Sequence, residues 1–445
     1  MVEISEEEYK LAKEAHVSNC TGGTIHEIFD IGIIILISHH VWNVLVKSKR
    51  INPDSFLAQF MIYVVPLLSL QTWASSYGYI AIFVGKSFIF YQILKSLKQE
   101  PLKKMDTKST YRPFLTIYRA GLMLMTCMDI LAVDFQFYPR RFAKVETFGI
   151  SLMDLGVGSF VFSSGVVAAR SYLNHRQPGL LKALRSGLAI LVLGFARLFL
   201  TKSVNYQEHV SEYGLHWNFF FTLGFLPPMV TLLGFLRKRM PFVVPAFAII
   251  IGYQFALNQG LQDWILNAPR TDVISANKEG ICSFMGYLSI FMFGLQCGEI
   301  LFQKSLSEPA KQKKMLIIGY ISSLAFVGSS YLWTWLQPEF GISRRMANLP
   351  YVLCVASLNI YLITTSMAIE LLVIDQKQPG LLEAINANGL FTFLLANVLT
   401  GLVNLSMRTL YMNTINSFIV NLCYMLIVTL IPWFMWTRLH IQLKI

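Results

Sequence analysis

Charge is scarce in this chain of 445 residues: Asp, Glu, Lys and Arg together make up 14%, against 54% hydrophobic residues. So few charges cannot coat a soluble globule of this length, which points to a polytopic membrane protein. Cysteine is sparse as well. The six (Cys20, Cys127, Cys282, Cys297, Cys354 and Cys423) lie mostly in apolar runs and lack the paired short spacings of a zinc site or a disulfide framework, so they read as small core hydrophobes. There is no G-x-S-x-G elbow, P-loop or dinucleotide-type glycine pattern, so serine-hydrolase and nucleotide-binding chemistry have no support. Glu6, Glu7 and Glu8 precede any apolar stretch, unlike a signal peptide, and the first membrane helix is expected to insert itself.

Apolar runs of spanning length are what the chain has in abundance. Crossing a hydrocarbon core about 30 Å thick takes roughly 17–25 residues. Such runs fall near 28–46, 56–74, 77–95, 113–133, 152–171, 183–200, 217–235, 241–258, 281–301, 315–336, 350–372, 388–406 and 415–436. The expected fold class is therefore all-α, a helical bundle of about thirteen spans. Residues 1–27 form an N-terminal segment, 28–436 a single membrane domain and 437–445 a short tail. The connections are too short for a soluble domain, so any machinery must lie in the bundle or its loops.

Basic residues accumulate on the cytosolic side of membrane proteins. With the N-terminus lumenal and the C-terminus cytosolic, the cytosolic loops hold about 23 Lys and Arg and the lumenal segments about 11. The net charge of +12 is then this bias itself and needs no nucleic acid to explain it. Asn19-Cys20-Thr21 is a candidate N-glycosylation sequon in the segment that this topology places outside.

The lumenal basic residues do not scatter. They occur inside dense polar strings: AVDFQFYPRRFAKVE (132–146), YQEHVSEYGLHWN (206–218), SANKEG (275–280) and SRRMANLP (343–350). Asn388, Asn397 and Asn404 interrupt a late apolar run, and the last two, seven apart, share a helix side expected to face the bundle. Each feature also has a structural reading. Pro-Arg-Arg after a span can be a turn with headgroup anchors; two Arg pairs on the lumenal side, against the charge bias, favour phosphate forks instead. Asp134 at the end of a span is either half of an ion pair or catalytic. His209, Glu212 and His216 could share a helical face, with spacing too loose for a zinc motif. His39 and His40 inside the first span read as packed residues. Gly156, Gly158 and Gly165 with Ser159, Ser163 and Ser164 read as a tight helix contact.

These strings, together with SLMDLGVGSFVFSSG (151–165) and LLANVLTGLVNLSM (394–407), closely resemble the inositol acyltransferase family of glycosylphosphatidylinositol (GPI) anchor synthesis. The resemblance runs in order from about residue 114 to 407. The first hundred residues carry little of it beyond a short Val-Ser-Asn and the spacing of the spans. It implies a multi-pass enzyme of the endoplasmic reticulum that moves a fatty acyl group, usually palmitoyl, from acyl-CoA to the inositol ring of glucosaminyl-phosphatidylinositol. No metal or other cofactor is implied; acyl-CoA is a co-substrate, and the expected partners are the two substrates and membrane lipids.

Asp134 and Lys144 match the carboxylate and lysine of the family's acid–base pair, with either able to serve as base. Arg140 and Arg141 would hold phosphates, and Glu208, His209, Glu212 and His216 the sugar headgroup. Trp217, Asn218, Asn277, Lys278, Glu279, Arg344, Arg345, Asn348, Asn397 and Asn404 complete the expected substrate contacts. Two other classes compete. A transporter would place polar sites near the midplane in paired repeats, and a non-enzymatic lipid-binding subunit would have no need of Asp134 and Lys144.

Overall fold

Helix starts are written locally. Ser5 opens α1 (Glu6–Val17) with a reciprocal capping box: its hydroxyl accepts from the Glu8 amide, and the Glu8 carboxylate accepts from the Ser5 amide. Thr24 caps α2 (Ile25–Gly32), which continues through Ile33 into α3 (Ile34–Lys47) as one apolar stretch. Ser55 caps α4 (Phe56–Gln71), and α5 (Tyr79–Lys98) follows. Pro113 starts α6 (Pro113–Ala132), where its missing N–H costs nothing. In the computed structural model the described residues are 5–76, 78–98, 111–172, 179–203, 210–234, 239–303, 306, 308–372 and 378–443.

Ser151 caps α7 (Leu152–Ala168), followed by α8 (Leu180–Ser203), the single turn α9 (Val210–Tyr213) and α10 (Phe219–Leu233). α11 (Val243–Ala256) runs into α12 (Gln262–Asn267) through a break at Gly260, whose φ of +107° suits glycine. The short α13 (Val273–Ala276) leads into α14 (Lys278–Leu301) and α15 (Pro309–Leu336). The chain closes with α16 (Leu349–Leu372), α17 (Gly380–Ala387), α18 (Gly389–Ser406) and α19 (Thr414–Thr437). Among the described residues there is no strand, only a single bridge between Gly22 and Ile150.

A helix lies over each of the thirteen apolar runs. Among the described residues, nine helical stretches are long and apolar enough to cross a membrane, and α4 and α10 are shorter apolar helices. The protein is thus a polytopic helical membrane protein. α16 is its innermost helix, with 89% of its apolar window buried, and it packs on α15, α6, α14 and α7. Polar groups on α16 are paired inside the bundle, as a spanning helix requires: Asn359 accepts from Tyr118 at 2.5 Å and donates to Ser159 at 2.9 Å. Close approach of α7 to its neighbours rests on the small residues read from the sequence. A Cβ added at Gly165 would collide with the Phe291 carbonyl of α14, and one at Gly158 with Val355 and Tyr351 of α16. Gly156 has room to spare and Ser164 is exposed, so the contact face is narrower than expected.

Candidate functional site

The described parts of the four polar strings meet at one end of the bundle, in a layer of loops stitched together through the backbone. The Gly23 amide donates to Ile150 O at 2.9 Å, Gly149 to Ile342 O at 2.8 Å and Leu215 to Ala276 O at 2.9 Å. Gly149, at φ +136°, takes a conformation that other residues rarely adopt. These bonds tie the segment after α1 to 133–151, that loop to 342–345, and the α9 turn to the start of α14.

Asp134 occupies the turn after α6, where a helix C-terminus offers a carboxylate no favourable dipole. Its charge is met from elsewhere. Lys13 of α1 places its ammonium 3.2 Å from Asp134 Oδ1, and Asn404 of α18 donates from Nδ2 to Oδ2 at 2.7 Å. Asn404 Oδ1 in turn accepts from Lys13 Nζ at 2.8 Å, closing a three-membered ring of contacts. The structural reading of Asp134 as half of an ion pair is therefore met, by a lysine not singled out in the sequence. The carboxylate keeps 17% of its surface exposed.

Lys144 takes a different partner. Its Nζ donates to Glu212 Oε1 at 2.8 Å, and Glu212 also lies 3.6 Å from Arg344 Nη2. Arg344 Nε reaches Asp154 Oδ1 at 2.7 Å, while Asp154 accepts further bonds from Ser151 Oγ and the Val145 amide. Burial alone would lower the proton affinity of Arg344, but the Glu212 and Asp154 carboxylates outweigh it and hold the guanidinium charged far above its ordinary range. Lys144 is the exposed end of this chain of ions, with 43% of its side chain accessible. No hydrogen bond or ion pair joins Asp134 to Lys144 among the described residues.

Arg140 and Arg141 diverge rather than form a fork. After Pro139 a 3-10 turn carries Arg140 to the Ser18 carbonyl at 2.6 Å and Arg141 to Glu27 of α2 at 2.8 Å, with the Arg141 guanidinium 4.7 Å from the Phe142 ring centre. The second arginine pair also splits. Arg345 joins Arg270 on Glu279, which is fully buried: Arg270 binds it through two bonds of 2.6 and 3.0 Å and Arg345 through one of 2.8 Å.

Several expected substrate contacts are spent on local structure. Asn218 caps α10 and donates to Gly194 O at 2.9 Å; Asn348 bonds the Ser343 amide and Gly341 O ahead of α16. Asn277 accepts from the amides of His216 and Trp217, Trp217 donates its indole N–H to Thr222, and Lys278 binds the carbonyls of Trp264 and Ala268 behind α12. Asn397 faces outward and bonds only Phe393 O of its own helix, so of that helix side Asn404 alone reaches the site. Gly214, at φ +109°, separates Glu212 from His216, which turns to Asn277 instead of sharing a helical face. Glu208 and His209 lie outside the described residues. Asn19, the sequon asparagine, is exposed, with its amide bonded to Glu146. In the first span, His39 bonds Tyr63 at 2.9 Å, whereas the His40 ring packs on Phe88 with neither nitrogen partnered among the described residues.

Sequence reasoning missed Lys13, Glu27, Asp154 and Arg270. Lys13 lies in a segment with no apolar run, yet the Ser5–Glu8 spacing is itself a capping-box signal that marks α1 as ordered. Glu27 and Asp154 lie in the first turns of helices, where acidic residues are ordinarily read as dipole partners.

An all-helical membrane bundle with most of its described ion pairs gathered in one end layer defines the class of protein. Within that class, a family model for GWT1 matches residues 9–435, and the chain belongs to the GWT1 family. It is 39% identical over 455 residues to the GPI-anchored wall transfer protein 1 of Yarrowia lipolytica, covering 93% of this chain and 95% of that one. Its identity is 37% over 450 residues to the protein of that name in Schizosaccharomyces pombe, with 94% and 96% covered, and 37% over 480 residues to the one in Saccharomyces cerevisiae, with 96% and 98% covered. The match begins at residue 9, well before residue 114, so most of α1 and the spans that follow it are part of the family's common chain.

Proposed function

We propose that this chain is an acyl-CoA-dependent O-acyltransferase of GPI-anchor biosynthesis, acylating the inositol ring of glucosaminyl-phosphatidylinositol in the endoplasmic-reticulum membrane. The bundle crosses the membrane about thirteen times with its N-terminus lumenal, which puts the layer of loops at the lumenal boundary. The names of the relatives support the GPI connection, and the chemistry of the layer supports the transfer. In that reaction an inositol oxygen bonds to the acyl carbonyl carbon, the thioester C–S bond breaks, and the hydroxyl proton leaves by way of a base to the departing thiolate.

One observation carries the reading: Asp134 is a partly exposed carboxylate oriented by both an amide and an ammonium. Such a group can accept the inositol proton. Lys144, held by Glu212, supplies the positive charge that a tetrahedral oxyanion needs. Among the described residues Arg140 lends its guanidinium to only a carbonyl and a weak sulfur contact, leaving donors for a lipid phosphate. The acyl chain lies among the spans, where each buried methylene contributes about 0.8 kcal/mol. No metal or further cofactor takes part.

Purified protein supplied with radiolabelled palmitoyl-CoA and glucosaminyl-phosphatidylinositol tests this directly. Label transferred to the glycolipid supports the enzyme. Binding of either substrate without transfer would identify a lipid-binding subunit and overturn the proposal.

A further inference from the structure

Apolar burial explains little of the docking of α1, where the Tyr9 ring on Tyr411, 5.6 Å between centres, is the main ring contact. Its sequence EEEYKLAKEAHV is mostly polar, and Leu11 is left 64% exposed where a helix held by apolar burial would hide it. Polar ties hold the segment instead: Arg140 to Ser18 O, the Asn19 amide to Glu146, the Gly23 amide to Ile150 O, and the Tyr9 hydroxyl 3.3 Å from Thr409 Oγ1. Every one of these joins α1, or the few residues after it, to the loops that flank Asp134 and Asn404. The result sets Lys13 Nζ on both of those side chains at once.

We propose that Lys13 is a positioning residue of the acyl-transfer site, counter-charging and orienting the Asp134 carboxylate that takes the inositol proton. This rests on the reading of Asp134 given above. Among the described residues, three groups act on Asp134. Lys13 and His16 come from α1, and Asn404 comes from α18. Arg140 acts on His16 through its charge. Asn404 is neutral, and burial first and Arg140 second lower the proton affinity of His16, so Lys13 is the cation set directly on the carboxylate. The lysine also fixes which way the Asn404 amide points, because Asn404 Oδ1 accepts from it while Nδ2 donates to Asp134.

A lysine that merely pins α1 in place would move the pH dependence only through His16, so the profiles are read in the His16→Gln background, where that titration is removed. The test is therefore the pH profile of kcat/KM for the purified full-length protein, its Lys13→Met and Lys13→Arg variants, and Asp134→Asn. Lys13→Met removes the ammonium that lies on the carboxylate. The acid limb of its profile is expected to move to higher pH, with about tenfold lower rate on that limb and recovery above it. Lys13→Arg, which keeps the charge, is expected to leave the limb where it was. If Lys13→Met is not recovered folded, Lys13→Gln carries the same expectation. An acid limb that stays in place when the charge is removed overturns the inference while leaving the role of Asp134 intact. Near-normal turnover by Asp134→Asn would overturn that role, and this inference with it.

Discussion

The guanidinium of Arg344 and the carboxylate of Asp154 meet at 2.7 Å across 190 residues of sequence, both all but sealed from solvent. The pair locks the first turn of α7 to the loop before α16, and Tyr351 adds a bond to the Asp154 carbonyl at 2.8 Å. Glu212 bridges that arginine to Lys144, so one buried ion pair indirectly places a candidate catalytic side chain.

Removing one partner of such a pair strands the other charge. Arg344→Met is expected to destabilise the protein by about 3–5 kcal/mol, and Asp154→Leu in the same background to recover much of that loss. Thermal unfolding in detergent, read for the two single variants and the double, checks the non-additivity.

Glu279 is a fully buried carboxylate answered by two arginines, one bidentate. Glu279→Gln leaves both without a countercharge and is expected to cost about 1–3 kcal/mol. Arg345→Ala is expected to cost less, because the two bonds from Arg270 remain. The difference in midpoint between the two variants is the measurement.

Gly294 faces the carbonyl of Phe162 so closely that no side chain fits. Gly294→Val is expected to push α14 from α7, at about 1–3 kcal/mol, and to lower the yield of folded protein in detergent chromatography. At Gly401, where a Cβ would meet nothing, the same substitution is expected to be silent.

The His16 proton affinity is lowered by burial first and Arg140 second. With a native pKa below the ordinary value of about 6.5, His16 takes up a proton more readily once α1 is undocked. Docking is thus at full strength above that pH and weakens as pH falls through it. Hydrogen exchange of the α1 amides, corrected for intrinsic rates, is expected to show protection at pH 7.5 that declines by pH 5.5, and a flatter profile in His16→Gln.

Much of this was legible in the sequence, because apolar length and helix-capping residues act locally. Each marked run carries a helix, and Gly158 and Gly165 mark a real close contact. The polar strings were correctly grouped because the charge bias of the loops singles them out. Partner choice within the group was not legible. Whether Arg141 meets a lipid phosphate or Glu27, and whether Asp134 meets Lys144 or Lys13, depends on how distant loops fold over one another. Asn397 misled for a related reason: periodicity gives the side of a helix, but not how far along it the neighbouring helix extends.

We propose that Asp134 and Lys144 perform acyl transfer although separate partners hold them. Single-turnover transfer from palmitoyl-CoA by Asp134→Asn and Lys144→Met, each verified as folded and substrate-binding, tests it most directly. The account predicts a loss of at least about a hundredfold in the chemical step for each, with substrate affinity little changed. Turnover within a few-fold of the unaltered protein in both variants would contradict it.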